Sequence, residues 1–319
     1  MSSSWRTVCG CGLAIVALLA GDVSAQTAPA GATSTEPATA AAAAPEAAPT
    51  QTVRVTFSPK GAGLNDIPLG GYRVPDTNII ISGHQKGGAA GLLFGAVGML
   101  AQGAVNAQVG KEAVSGTQSA LRFDVPKQAE DAMRAVLKSD QYGQAFTLDG
   151  ANGGTELTVY AYASITFVND TDARPYVILK AVPKSQPPGG RLKTVRYICC
   201  VGEALPLAGD QGLAANGGER LQQILTQETD EAVKLMLTDV QHPYPRDDQS
   251  QISVDSHFPF VRKRFRVTGY ALSDEPDAIV FAPHLSNMIV FAGVMKMDKA
   301  AITYHLATKH DSPFKILPD

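Results

Sequence analysis

The chain has 319 residues, 45% of them hydrophobic and 18% charged, and that apolar share excludes a wholly disordered protein. Lys and Arg number 27 against 30 Asp and Glu, a net charge of −3, so no general attraction to nucleic acid or anionic lipid is expected.

Residues 1–25 read as a secretory signal peptide: one cation at Arg6, an apolar stretch from Leu13 to Ala20, and small residues at the exit, Val23-Ser24-Ala25. The apolar run falls short of the roughly 20 residues a spanning helix needs. Cys9 and Cys11 precede that run, whereas a lipid-modified cysteine follows it, which argues against a lipoprotein. The expected destination is the periplasm or the exterior of a bacterial envelope, with outer-membrane association left open. Residues 26–50 are nearly all Ala, Pro and Thr with no aromatic residue, so they have nothing to bury and read as a disordered tether.

Folded structure is expected over residues 51–240, followed by a β-rich C-terminal module over 241–319. Val53, Val55 and Phe57 alternate with polar neighbours as in a half-buried strand, and Asn78-Ile79-Ile80-Ile81-Ser82 reads as a second. Gly87 to Gly110 then runs for 24 residues without a charge. Read as a helix, it sets Gly87, Gly91, Gly95, Gly103 and Ala107 on one ridge, the packing logic of GxxxG contacts. Its part without polar side chains, Gly87 to Ala101, would reach only about 22 Å against a hydrocarbon core of about 30 Å, so a simple span fits poorly. Three readings stay open: a helix packed within its own domain, a glycine zipper that oligomerises or associates with a membrane, and a loop. No GxGxxG pattern or Gly-Lys-Ser/Thr ending suggests phosphate binding.

Asp124 as cap, Pro126 in the first turn and the stripe Ala129, Met133, Val136, Leu137 predict a helix over 126–139. Strands are expected at 144–148 and 155–168, the latter with Leu157, Val159, Ala161, Ala163, Ile165 and Phe167 on one face and Tyr160 and Tyr162 on the other. Turn residues at 169–172 and 187–190 separate further strands at 175–182 and 191–201, making an antiparallel meander. A long helix over 219–240 follows, with Leu221, Ile224, Leu225, Ala232, Leu235 and Met236 on its core side. The last strands are expected at 265–272, 278–282, 288–297 and 301–307. The fold class this predicts is α+β, an antiparallel sheet covered by helices on one face, with the small β-rich module at the C-terminus.

Chemistry is sparse. The six histidines lack the i, i+4 spacing of a zinc site, no Gly-x-Ser-x-Gly elbow is present, and Cys199-Cys200 lacks CxxC spacing and reads as two small buried side chains. Asn169-Asp170-Thr171-Asp172 lacks the Gly and Glu of a calcium loop and reads as a hairpin turn. No catalytic residue, metal or cofactor is expected. The basic run 262–266 places Arg262, Arg264 and Arg266 on one strand face as a candidate anion contact, against the plainer reading of a solvated face.

The order of signal peptide, strand, glycine-rich segment, amphipathic helix, three antiparallel strands and closing helix resembles the periplasmic anticodon-binding-domain-like modules of curli-secretion-type envelope proteins. The resemblance covers about residues 53–240 and rests on layout, with no diagnostic motif. The family's usual lipid-modified cysteine is missing, which sets this chain apart on anchoring, and no functional residue carries over. The expectation is an exported cell-envelope protein, a non-enzymatic interaction or assembly component that packs or oligomerises through the glycine-rich helix. Protein partners or self-association are implied, with membrane association through 87–110 as an option and no nucleic acid. The alternative is a periplasmic ligand- or polymer-binding module, drawn from the tyrosine-bearing strand face and the basic strand, and a hydrolase ranks below both.

Overall fold

The computed structural model describes residues 52–68, 70–84, 108, 110–112, 114–117, 119–149, 154–186, 189–200, 202–247, 250–285 and 288–318. The expected signal peptide and tether and the positions Gly87, Gly91, Gly95, Gly103 and Ala107 of the predicted zipper lie outside the described residues. Described residues from position 52 onward belong to one compact unit.

The strands are β1 (Val53–Ser58), β2 (Tyr72–Arg73), β3 (Ile79–Ser82), β4 (Phe146–Thr147), β5 (Thr155–Phe167), β6 (Asp172–Ser185), β7 (Val195–Cys200) and β8 (Leu205–Pro206). They continue with β9 (Gln251–His257), β10 (Arg264–Asp274), β11 (Ala278–Pro283), β12 (Val294–Asp298), β13 (Thr303–Leu306) and β14 (Phe314–Ile316). The helices are α1 (Val125–Val136), the single turn α2 (Asp140–Gly143) and α3 (Glu219–Gln241). The class is α+β. The sheet runs β13-β9-β10-β11-β12-β7-β6-β5-β1-β4, with β14 beside β10, β3 beside β5, β2 beside β3 and β8 beside β6.

The predicted meander is present as β5-β6-β7, antiparallel throughout. The sheet as a whole is mixed rather than antiparallel. β1 and β3 both lie parallel to β5, β4 lies parallel to β1, and β12 lies parallel to β7. The physical reason is connection length: these partners are separated by long stretches of chain, which allow the return crossing that a tight hairpin cannot make. The β7–β12 pairing also joins the strands beyond residue 250 to the same sheet as the meander. The expected strand over 288–297 starts later, at Val294, because Phe291 N bonds back to Met288 O in a turn and Gly293 follows at a positive φ.

Alternation along β5 divides two cores. Leu157, Val159, Ala161, Ala163, Ile165 and Phe167 point to the face where α1 and α3 pack, through Ala129, Ala132 and Met133 of α1 and Leu221, Leu225, Ala232 and Met236 of α3. Tyr162 points the other way, into a second core with Tyr176, Ile178, Ile198, Phe258, Phe260, Phe265, Phe281 and Phe291. The Tyr176 hydroxyl donates to His257 O at 3.1 Å and Phe260 N donates to Thr166 Oγ1 at 3.0 Å. These bonds tie β5 and β6 to the β9–β10 connection, several strands away in sheet order, so the sheet curls around the second core.

The predicted cap is in place: Asp124 accepts from Lys127 N at 3.1 Å, with Pro126 in the first turn. Asp124→Ala is expected to cost about 1 kcal/mol, read as a lower urea midpoint at unchanged slope. Gly110, the last residue of the glycine-rich segment, packs within the chain, since a Cβ there would lie 2.5 Å from His84 Cε1 and 3.0 Å from Tyr72 Cβ.

Candidate functional site

The face of β5 that carries Tyr160 and Tyr162 is only partly covered by the second core. Beyond it, in-register neighbours share that face: Ser58, Tyr160, Lys180 and Arg196 form one row across β1, β5, β6 and β7. Thr56, Thr158 and Val182 form the next row, and Arg54 with Glu156 the third. Lys184 reaches the Glu156 carboxylate at 3.2 Å, beside a register shift that sets Glu156 opposite Ser185. Lys180 Nζ lies 6.0 Å from the centre of the Tyr160 ring, within range of a cation–π contact.

A buried carboxylate anchors the row. Asp66, 3% exposed in the 3-10 turn Leu64–Asp66, accepts from Lys180 Nζ at 2.8 and 2.9 Å, from Arg196 Nη2 at 2.8 Å and from Gly63 N at 3.1 Å. Burial acts to raise the Asp66 carboxyl, but the hydrogen bonds from Lys180 and Arg196 overcome it and hold the group below the ordinary aspartate value. Burial pushes the Tyr162 phenol up, with the neighbouring Arg196 guanidinium opposing it. Both cations remain about a fifth exposed, 22% for Lys180 and 20% for Arg196, so they are shared between the internal carboxylate and solvent.

The anion contact expected from sequence is arranged differently. Arg266 pairs with Asp255 through two bonds of 2.7 Å, and Arg262 Nη1 reaches Asp170 at 2.8 Å, so local carboxylates already answer two of the three guanidinium groups. Arg264 is exposed at the start of β10. A further basic surface lies around β6–β7, where residues 180–196 carry Lys180, Lys184, Arg191, Lys193 and Arg196 and no Asp or Glu. Counting charge over that window is the sequence signal that marks it.

The other chemistry-bearing groups stay apart. His257 Nδ1 contacts Arg262 O at 2.9 Å, and His284 packs edge-on to Tyr270 with centroids 4.6 Å apart. His305 Nε2 comes within 3.4 Å of Asp311 Oδ1, and His305 is the cross-strand neighbour of Ser253. Ser253 is fully buried with its hydroxyl against Thr268 Oγ1 at 3.1 Å, so a substrate carbonyl has no approach to it. Among the described residues no three His, Cys, Asp or Glu side chains gather as a metal site, and no helix is long and apolar enough to cross a membrane. Cys199 is buried in the helix-side core. A cleft of about 870 Å³ lies between the β1 end, the Pro75–Asn78 turn and the α1 N-terminus, with Phe57, Phe123, Arg122 and Glu130 in its walls.

A second open surface lies at the far end of the sheet. β13 ends the strand order, and all four of its residues are exposed, Leu306 at 74% and Tyr304 at 40%. Tyr304 and Leu306 pair with Val254 and Ile252, both members of the second core, so that apolar face runs on past its cover to the edge. No family model matches the chain, and neither a curated protein nor a solved structure matches it.

Proposed function

We propose that this is an exported bacterial cell-envelope protein that acts by association rather than by chemistry, as an interaction or assembly component. The observation that carries the reading is the β13 edge, a strand paired on one side with β9 and on the other with no strand among the described residues, and carrying exposed Leu306 and Tyr304. Folded proteins normally protect such an arrangement with charge, proline or a covering element. A second copy adding its own β13 would extend the sheet and cover both side chains. The glycine-rich segment 87–110 is proposed as a further packing or membrane-associating element. Lys180, Arg196, Arg262 and Arg266 engage carboxylates, and Ser253 is buried, which fits a role in binding better than one in hydrolysis.

The test is the mass of residues 26–319 by light scattering, in buffer and in mild detergent. A discrete oligomer is expected, with Leu306→Asp weakening association by roughly ten- to a hundredfold, the equivalent of one buried leucine. A monomer in both media at every concentration tried overturns the reading. The polymer-binding alternative is favoured by a different observation, the basic sheet face.

A further inference from the structure

We propose that the face of β1, β5, β6 and β7 centred on Tyr160 and Lys180 binds an extended acidic polysaccharide, one bearing carboxylates along its chain. The face carries Arg54, Lys180, Lys184 and Arg196. Lys180 and Arg196 share the one carboxylate of Asp66 and Lys184 pairs with Glu156, so four cations meet two carboxylates and a surplus of two positive charges remains, unlike the one-to-one pairing of Arg262 and Arg266. Exposed Lys60 and Arg73 belong to the segment pinned by Asp66, and exposed Arg191 and Lys193 to the β6–β7 connection. With exposed Asp76 of the same segment counted, eight cations thus stand with three carboxylates in a chain whose net charge is −3, so this surface is positive against a negative remainder. Charge complementarity therefore selects an anionic partner.

Three features select a carboxylated glycan among anions. Asp66 shows the anion that the Lys180–Arg196 pair accepts, a carboxylate held through both oxygens with charge-assisted bonds. The face also carries hydroxyls, Ser58 in the Lys180 row and Thr56 and Thr158 in the row between the cations, beside the partly exposed ring of Tyr160, which together match the hydroxyls and apolar faces of a sugar. A bilayer is disfavoured because the large exposed apolar side chains among the described residues, Tyr304, Leu306 and Ile316, belong to β13 and β14, so no wedge stands ready to insert here. The cation-bearing rows, through Lys180 and through Arg54, lie four residues apart along a strand, about 13 Å, with the hydroxyl row Thr56 and Thr158 between them, so well-separated charges of one extended chain can engage both.

This face is separate from the β13 edge, so either proposal can fail alone. The test uses the mature chain with polygalacturonate as probe, neutral dextran as control and phosphatidylglycerol vesicles as the competing surface. Binding to polygalacturonate is expected at low salt, falling steeply as salt rises because bound counterions are released. Lys184→Glu is expected to weaken it about tenfold and Glu156→Gln to strengthen it several-fold, since one adds and the other removes a negative charge on the face. Lys184 is 66% exposed, and a matching thermal melt shows that the variant is folded. No binding to polygalacturonate, equal binding to dextran, or indifference to both substitutions overturns the proposal. So does preference for the vesicles, which would assign the face to a membrane surface.

Discussion

Asp66→Asn is expected to lower the unfolding free energy by about 3 kcal/mol, the lower end of what removing one partner from a buried ion cluster costs. Asparagine keeps the shape and one acceptor oxygen but removes the charge. Lys180 and Arg196 would then face each other across a neutral amide, inside a turn whose position over the sheet depends on those bonds. The lower end of the range applies because both cations are about a fifth exposed and can recover part of their hydration. For a domain of this size the melting temperature should fall by about 6–10 °C. The pH dependence has a definite sign. The folded carboxyl is held below its unfolded value, so its contribution is fully present above the ordinary aspartate range and is lost as pH falls through the folded value. The variant should accordingly show the largest deficit near neutrality and converge on the parent in acid. A melting temperature within about 2 °C of the parent at pH 7 would refute the account, because the cluster would then be adding nothing net.

That cluster also shows where the sequence stops being legible. Asp66 lies 114 residues from Lys180 and 130 from Arg196, and no spacing rule connects them. The same limit explains the parallel pairs. β5, β6 and β7 could be read because turn residues join neighbours, and α1 and α3 because their stripes repeat with the helical period. Which strand lies beyond β5 is decided by chain that returns from elsewhere, and the pattern of β1 or β3 is the same in either direction. Charge density and strand alternation mark the run 262–266, whereas its partners Asp170 and Asp255 come from other strands and turns. Conversely, the basic face is divided among three strands and is dense only in 180–196, where the cations are spread over a hairpin rather than run together. The open β13 edge could not be foreseen either, because exposure of Leu306 depends on where the sheet ends.

Gly269→Ala is expected to cost about 3 kcal/mol, at the upper end for overpacking, and Gly269→Val more. Glycine in mid-strand is usually a weakness, and within a run of β-formers such as β10 it marks a close approach of another backbone. Here a Cβ would sit 2.3 Å from Ala282 O, 2.7 Å from Pro283 Cα and 2.7 Å from the Phe281 ring. Gly269 faces Pro283 in the β10–β11 register, so the clash is with main chain and cannot be relieved by turning a side chain. Moving β10 away from β11 would disturb Val267 and Phe281 in the second core, and with β10 would go β9 and then β13. Amide exchange in β9–β11 should therefore accelerate more than in β5 and β6, which are held by each other and by the helices. A Gly269→Ala chain within about 0.5 kcal/mol of the parent by urea unfolding would show that β10 and β11 can part at little cost, contrary to this packing. The contrast with Leu306→Asp is diagnostic for the edge: Gly269 variants should lose stability and association together. Leu306→Asp, altering a side chain already in solvent, should lose association at nearly unchanged stability.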